Sequence, residues 1–285
     1  MSAPVDYLVV GHVSHDVQAD GSHVIGGTVS YAALTAAALR NSVGMVTSAG
    51  EGFDFSVFED VATVISRRSS ETTTFRNEYV NGYRRQTVYG SAEPLTPSLV
   101  PKAWIRSRVV HIGPIIQECS PGLVDFFAGH SFLGLTPQGW MRSRNTAGLV
   151  HRHPWHDGPR YASKASAVVF SLDDVQGDRK RAEALARKTR LLVLTLGAEG
   201  GVLFVEGRPM PFSALEVEEV DPTGAGDIFA TTFFTSAAEG VRPKEAARFA
   251  ACLASRSVTR VGLAGVPDFS DIAFCRSLVA GPSMG

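Results

Sequence analysis

The sequence contains few cysteines, and none of them are closely spaced. Its three cysteines, Cys119, Cys252 and Cys275, form no CxxC pair. The spacing therefore predicts neither a disulfide framework nor a zinc site. An odd number of cysteines is also typical of a protein that works in a reducing compartment.

The chain likewise lacks a strong charge of one sign and long apolar runs. Its 27 Lys and Arg residues balance 28 Asp and Glu residues, which leaves no net field to attract nucleic acid or an anionic membrane. No apolar stretch approaches the ~20 residues of a membrane span, and the first residues do not resemble a signal peptide. We therefore expect a cytoplasmic protein with neither nucleic acid nor membrane as a partner.

Two common nucleotide-binding motifs are absent as well. No GxxxxGK[ST] sequence occurs, which argues against a P-loop enzyme. The pair Gly224 and Gly226 lacks the third glycine of a dinucleotide-binding turn, which argues against a Rossmann dehydrogenase.

Short apolar runs alternate with helix-like segments along most of the chain. The alternation predicts an α/β fold, with a mostly parallel sheet covered by helices on both faces. The expected strands lie at 6–11, 43–50, 108–113, 132–136, 167–171 and 191–195, and the expected helices at 29–41, 121–129 and 178–189.

One segment departs from this alternation. Residues 73–90 alternate in polarity around Asn81 and Gly82, a pair that favours a type I′ turn and so predicts a β-hairpin. Residues 201–212 predict a second hairpin. We interpret the chain as a single domain, 1–285, with a β-hairpin lid around 70–92 that projects from the edge of the sheet. The unpaired edges of such a lid suggest a homodimer.

The segment VDPTGAGDIFA, 220–230, places Gly224, Ala225 and Gly226 directly before Asp227. If a helix begins there, its first N–H groups are free and its dipole favours an anion. Asp227 in the first turn could accept a proton from an attacking hydroxyl, and the dipole should keep its carboxylate ionised at neutral pH. The alternative is an ordinary helix start, in which the glycines and the aspartate serve only turn and capping roles.

The segment from Asp221 to Asp227 resembles the second signature of the ribokinase-like (PfkB) carbohydrate kinases, and the resemblance extends over about residues 6–268. It implies a three-layer sandwich with a small β lid, and ATP and Mg²⁺ as cofactors. It also implies Asp227 as the catalytic base and the amides of Gly224, Ala225 and Gly226 as an anion hole. The residues around Asp221 resemble the segment that holds a monovalent cation such as K⁺ in some members of the family.

Other positions resemble the family in the same order. Asp16, after the first strand, matches the aspartate that binds substrate hydroxyls, and Gly26 and Gly27 match glycines that let a sugar lie against the backbone. The segment after the strand at 191–195 is similar to the turn that lines the nucleotide in the family. Its matching residues are Thr195, Gly197 and Gly200.

The chain also departs from the family pattern. Thr28 to Tyr31 stand where many sugar kinases have Lys and Asn, and Thr136 stands where relatives often have an acidic or amide residue. The motif that organises Mg²⁺ through water and phosphate appears here as Ser171 to Asp174, with an acidic residue kept only at its end. Asp174 is therefore the candidate for indirect metal organisation.

These observations predict an ATP-dependent phosphotransferase that acts on a hydroxyl of a small sugar or polyol. Two alternatives remain open: a nucleoside or vitamin kinase on the same fold, and a binding or sensor protein that has lost the chemistry. The histidines between 151 and 156 have no helical ligand spacing, and we interpret them as part of a surface loop.

Overall fold

The computed structural model describes residues 3–80 and 83–280. The strands are β1 (Tyr7–Val10), β2 (Ser14–Val17), β3 (His23–Gly26), β4 (Val43–Gly50), β5 (Ala62–Ser69), β6 (Thr73–Val80), β7 (Tyr83–Gly90), β8 (Val109–Ile112), β9 (Phe132–Leu135), β10 (Arg142–Arg144), β11 (Val150–Arg152), β12 (Ala167–Ser171), β13 (Leu191–Thr195), β14 (Gly201–Val205) and β15 (Arg208–Phe212). The helices are α1 (Thr28–Ala38), α2 (Gly122–Phe127), α3 (Gly158–Ala162), α4 (Arg179–Ala186), α5 (Ala225–Ala238), α6 (Pro243–Ser257) and α7 (Phe269–Ala280).

The central sheet has nine strands in the order β15-β14-β13-β12-β9-β8-β1-β4-β5. The strands from β13 to β5 are parallel, and β14 and β15 add an antiparallel edge. After β1 the chain adds β4 and β5 on one side of this strand. It then adds β8 and the later strands of the sheet on the other side. The carboxyl ends of β1 and β8 thus form a switch point, where open α/β sheets bind their ligands.

The pleat of β1 divides the core between the two faces of the sheet. Leu8 and Val10 pack into the cluster covered by α2, α3 and α4, whereas Tyr7 and Val9 pack into the cluster covered by α1, α5 and α6. Because both faces are covered, the inner parallel strands are mostly apolar and buried, whereas the edge strand β5 carries Arg67 and Arg68. The structure thus confirms the predicted three-layer arrangement, and β4, β12 and β13 match their predicted bounds residue for residue.

The lid is larger than predicted and is attached differently. The predicted hairpin is present as β6 and β7, but it belongs to a separate sheet of order β3-β2-β6-β7, in which β6 runs parallel to β2. It therefore does not extend the edge of the central sheet. The sequence interpretation missed β2 and β3, which are only four residues each. The predicted type I′ turn at Asn81 and Gly82 lies outside the described residues.

A disulfide bond joins Cys252 on α6 to Cys275 on α7, whose Cα atoms are 5.7 Å apart. The expectation that the cysteines form no disulfide was therefore wrong for this pair. The sequence did not indicate this bond because helix α7 was not predicted. The two cysteines come together only when α7 packs against α6. Cys119 is a buried free thiol. Within residues 3–80 and 83–280, no helix is long and apolar enough to cross a membrane.

Candidate active site

A cleft of about 1420 Å³ opens along the carboxyl edge of the central sheet, under the lid. Most of the predicted site residues line this one cleft, although they come from separate parts of the chain. They are Asp16, Gly27, Asp174, Thr195, Gly197, Gly200, Asp221, Gly224, Ala225, Gly226 and Asp227. Gly26 lies just behind the cleft surface. The fold thus brings the predicted acceptor, donor and catalytic groups into one site.

Helix α5 begins at the floor of the cleft, with Gly224 as its N-cap in the left-handed region at φ 80°. The N–H of Ala225 reaches the Pro222 carbonyl at 3.3 Å, and no backbone acceptor in the described chain takes the N–H of Gly224 or Gly226. A Cβ on Gly226 would meet nothing within 4 Å, so this side of the helix start faces open space. Free N–H groups at a helix start form a site suited to an anion.

Asp227 lies in the first turn of α5 and is half-buried at the cleft floor. Burial raises the pKa of its carboxyl to about 6, against a hydrogen bond with Thr28 and the charge of Arg142, which both act to lower it. The carboxylate is therefore largely ionised at neutral pH, as expected from the sequence. The expectation named only the helix dipole, whereas here burial outweighs the hydrogen bond with Thr28 and the charge of Arg142 and leaves the pKa above its ordinary value.

On the lid side, Asp16 lies on β2 and lines the cleft. A Cβ on Gly26 would lie 2.5 Å from Asp16 Oδ2, so the glycine leaves room for this carboxylate. Gly27 has φ 89° and caps α1, and a Cβ there would overlap the His12 carbonyl oxygen. The two glycines thus shape the lid side of the cleft in different ways: Gly26 accommodates Asp16, and Gly27 lies on the cleft surface.

At the other end of the cleft, Thr195 ends β13, and Gly197 and Gly200 form the tight turn that follows it. Beyond this turn, an apolar crevice lies between the segment 213–220 and the end of α6. Its walls include Val217, Val258 and Leu263, together with Val220 and Val261, which are 58% and 68% exposed. This end of the cleft can hold a flat apolar group next to the glycine turn.

The oxygens of Asp174 are already occupied by protein donors. Oδ2 accepts from the N–H and hydroxyl of Ser171, and Oδ1 accepts from Gln138 Nε2 at 3.1 Å and lies 4.0 Å from Arg142. A direct ligand of Mg²⁺ would need free oxygens and no adjacent cation, so Asp174 does not fit that role. Among the described residues, no group of three His, Cys, Asp or Glu side chains could hold a metal ion.

Asp221 also has protein donors on both oxygens. Oδ1 accepts the N–H of Thr223 at 2.9 Å, and Oδ2 accepts the N–H of Gly262 at 2.8 Å. Burial alone would raise the pKa of this carboxyl, but these hydrogen bonds outweigh it and the pKa is lowered. In this structure Asp221 therefore joins the loop before α5 to the turn after α6.

The sequence interpretation missed Arg142, a buried cation in the cleft. Arg142 begins β10, and its Nη1 donates to Gln86 Oε1 of the lid at 3.2 Å. Its charge also lowers the pKa of Asp227. The interpretation of 151–156 as a surface loop was incomplete, because Val150–Arg152 is strand β11, paired with β10. Three-residue strands carry too little periodicity to be predicted from sequence.

Comparisons with known proteins identify relatives of this chain among kinases. Residues 147–268 match the pfkB family carbohydrate kinase. Cytidine kinase from Thermococcus kodakarensis is 26% identical over 264 residues, which cover 85% of this chain and 91% of that protein. Inositol 3-kinase from Oryza sativa subsp. japonica is 26% identical over 298 residues, which cover 93% of this chain and 70% of that protein.

The fold has known counterparts too. The structure of a pyrophosphate-dependent kinase in the ribokinase family, solved as a sulfate complex, superposes with a TM-score of 0.78 at 23% sequence identity. The superposition covers 90% of this chain and 96% of that one. The signature segment and the match over residues 147–268 confirm the resemblance to the pfkB family carbohydrate kinases, and the superposition shows that the chain has the ribokinase-like fold.

Proposed function

We infer that the protein is an ATP-dependent kinase that phosphorylates a hydroxyl group of a small sugar or polyol, with Asp227 as the general base. One observation carries this inference. The half-buried carboxylate of Asp227 stands in the first turn of a helix whose free N–H groups face the same cleft. A base directly beside an anion site is the arrangement that transfer of a phosphoryl group to an alcohol requires.

The chemistry follows from this geometry. The acceptor hydroxyl, bound near Asp16, would give its proton to Asp227 as its oxygen attacks the γ-phosphorus of ATP and the bond to ADP breaks. The N–H groups of Gly224 and Gly226 would stabilise the charge on the transferring group. Thr28, which hydrogen-bonds to Asp227, would orient the carboxylate. A base with a pKa of about 6 is ionised at neutral pH and still accepts a proton readily.

The apolar crevice beside Gly197 and Gly200 favours ATP over pyrophosphate as the donor. A purine ring could cover the exposed side chains of Val220 and Val261, whereas pyrophosphate has no apolar group that could cover them. The pyrophosphate-dependent kinase noted above makes this donor the alternative to test. Mg²⁺ would enter bound to the donor phosphates, with Asp174 organising it only through water. A need for K⁺ at Asp221 remains a prediction.

The acceptor side favours a polyhydroxylated molecule. Asp16, Asn77 and Gln138 place carboxylate and carboxamide groups along the same cleft, and such groups form hydrogen bonds with neighbouring hydroxyls. Inositol 3-kinase is a relative with this kind of acceptor. A nucleoside kinase is the second candidate, because the cytidine kinase matches 91% of its own length.

The test is release of ADP from Mg-ATP in the presence of pentoses, hexoses, inositols or nucleosides, and formation of the phosphorylated acceptor when pyrophosphate replaces ATP as the donor. We expect turnover that depends on the acceptor, and Asp227→Asn should lower it by about 10²–10⁴-fold while leaving ATP binding intact. An active Asp227→Asn enzyme would exclude this base. ATP binding by the wild type without turnover on any acceptor would favour a sensor instead.

A homodimer through the lid and a cytoplasmic location remain predictions. The structure adds one relevant contact: the N–H of Val88 on β7 donates to the Gly148 carbonyl at 2.8 Å, so this lid edge is partly paired within the chain. A dimer contact would more easily use β3, the other edge of the lid sheet. Light scattering at working concentration tests the dimer, and a monomer mass would reject it.

A further inference from the structure

The hairpin formed by β10 and β11 touches the lid at its tip. The Val88 N–H donates to Gly148 at 2.8 Å, and Thr87 forms an antiparallel bridge with Leu149. Gly148 has φ 79°, and a Cβ at this position would overlap the Val88 carbonyl oxygen. The close approach of the two backbones therefore depends on glycine at 148.

The base of the same hairpin lies in the reaction centre. Arg142, its first residue, contacts Gln86 of the lid and lies 4.0 Å from Asp174. The Arg142 carbonyl accepts Gln117 Nε2 at 2.7 Å, and Arg152 at the other end pairs with Asp173. These contacts anchor the base to the body of the protein, while the tip follows the lid.

A small apolar cluster holds the lid against the body at the same place. Phe75 and Val88 of the lid pack on Ile115 and Ile116, which lie between β8 and α2. The carboxylate of Glu118 accepts the N–H groups of Ile115 and Ile116 and so keeps this connection in position. Val88 thus joins the lid to the body with its side chain and to the hairpin with its backbone.

We propose that the β10–β11 hairpin is a latch that couples closure of the lid to the placement of Arg142 beside the phosphoryl-transfer site. When β7 is paired with Gly148 and Leu149, Gln86 is held against Arg142, whose guanidinium then lies next to Asp227 and the anion site. When that pairing is broken, the lid opens and admits water, and Arg142 loses its hydrogen bond with Gln86. This proposal rests on the kinase function proposed above, and Arg142 and Gln86 act in it as positioning residues.

The decisive variant is Gly148→Ala, compared with Gly129→Ala as the matched control. Both glycines have positive φ, but a Cβ on Gly129 would meet nothing within 4 Å, so the control carries the backbone strain without the clash. In Gly148→Ala we expect kcat to fall by about 10- to 100-fold, because misplacing a catalytic constellation by ~1 Å has effects of this size. The share of ATP hydrolysed without transfer should rise, because an open lid admits water.

A second readout does not depend on activity. Amide hydrogen exchange at Val88 should become faster in Gly148→Ala and remain as in the wild type in Gly129→Ala. Gln86→Leu provides an independent variant: it keeps the backbone pairing but removes the contact with Arg142. It should therefore lower kcat and leave Val88 exchange unchanged.

The possible outcomes separate this proposal from the kinase assignment. If Gly148→Ala matches Gly129→Ala in kcat, uncoupled hydrolysis and Val88 exchange, the latch is wrong even though the enzyme is a kinase. If Gly148→Ala does not fold, an unchanged kcat in Gln86→Leu would overturn the coupling to Arg142. If the wild type transfers no phosphoryl group, the kinase function fails, and unchanged Val88 exchange in Gly148→Ala would reject the lid contact as well.

Discussion

The aromatic ring of Tyr31 occupies the space that a side chain on Gly224 would need, because a Cβ on Gly224 would overlap this ring. Tyr31 belongs to α1, and Gly224 is the N-cap of α5, so the contact sets how closely the anion site approaches α1. Burial, together with the nearby carboxylates of Asp227, Asp221 and Asp16, raises the pKa of the Tyr31 phenol. The hydroxyl is therefore un-ionised at neutral pH, beside three acidic side chains.

Gly224→Ala should destabilise the protein by about 2–3 kcal/mol, from overpacking against Tyr31 and from the left-handed backbone. Gly226→Ala is the matched control for stability, since a Cβ there meets nothing within 4 Å and its φ is not positive. It should unfold almost like the wild type and weaken donor binding. Urea unfolding of both variants measures the difference, and equal stabilities would contradict the steric role of Gly224.

The pKa of Asp227 predicts two opposite responses to pH. Because burial raises this pKa from 3.8 to about 6, the folded state holds the proton more tightly than the unfolded state does. The stability that this proton contributes is present at low pH and is lost as pH rises through about 6, whereas catalysis needs the ionised base and should fall below about 6.

Asp227→Asn separates these two responses. At pH 8 the variant should be more stable than the wild type by about 1–3 kcal/mol, since it buries no charge, and the difference should vanish near pH 4. Denaturant unfolding at several pH values measures this crossover. A variant that is less stable than the wild type at pH 8 would show that the carboxylate is not penalised by burial.

Arg142→Met should move the acidic limb of the pH–rate profile upward by about one pH unit, because the charge of Arg142 lowers the pKa of Asp227. The groups that act on Asp227 besides Arg142 are Thr28 and Asp174, and they stay in place in this variant. Arg68→Met is the control, because Arg68 and its partner Glu51 are both exposed and do not line the cleft. A limb that shifts equally in both variants would argue against a specific effect of Arg142.

Reduction of the disulfide between Cys252 and Cys275 should lower the stability of the fold by about 3 kcal/mol, given its sequence separation of 23 residues. A reducing agent should therefore lower the Tm of the wild type and of Cys119→Ser, and leave the Tm of Cys275→Ser unchanged. Alkylation and mass spectrometry count the free thiols. Three free thiols in the unreduced wild type would show that the bond does not form.

Much of the fold could be predicted because its signals are local. An apolar run such as 191–195, ended by a glycine turn, has few solutions other than a buried parallel strand. The signal of the segment before Asp227 was equally local, since three small residues can form a free helix start without help from the rest of the chain. The order of the parallel strands and the separate lid sheet were not predictable in this way, because β2 pairs with β6 across more than fifty residues.

The sequence alone determined the alternation of strands and helices, the apolar faces that require a three-layer fold, and the helix start with small residues before Asp227. Only the tertiary structure decided what surrounds that segment: Tyr31 against Gly224, Arg142 beside Asp227, and Cys252 opposite Cys275. The reason is physical. A strand or helix start follows from the periodicity and φ preferences of adjacent residues, whereas burial, ion pairing and a pKa depend on atoms that folding brings together from distant parts of the chain.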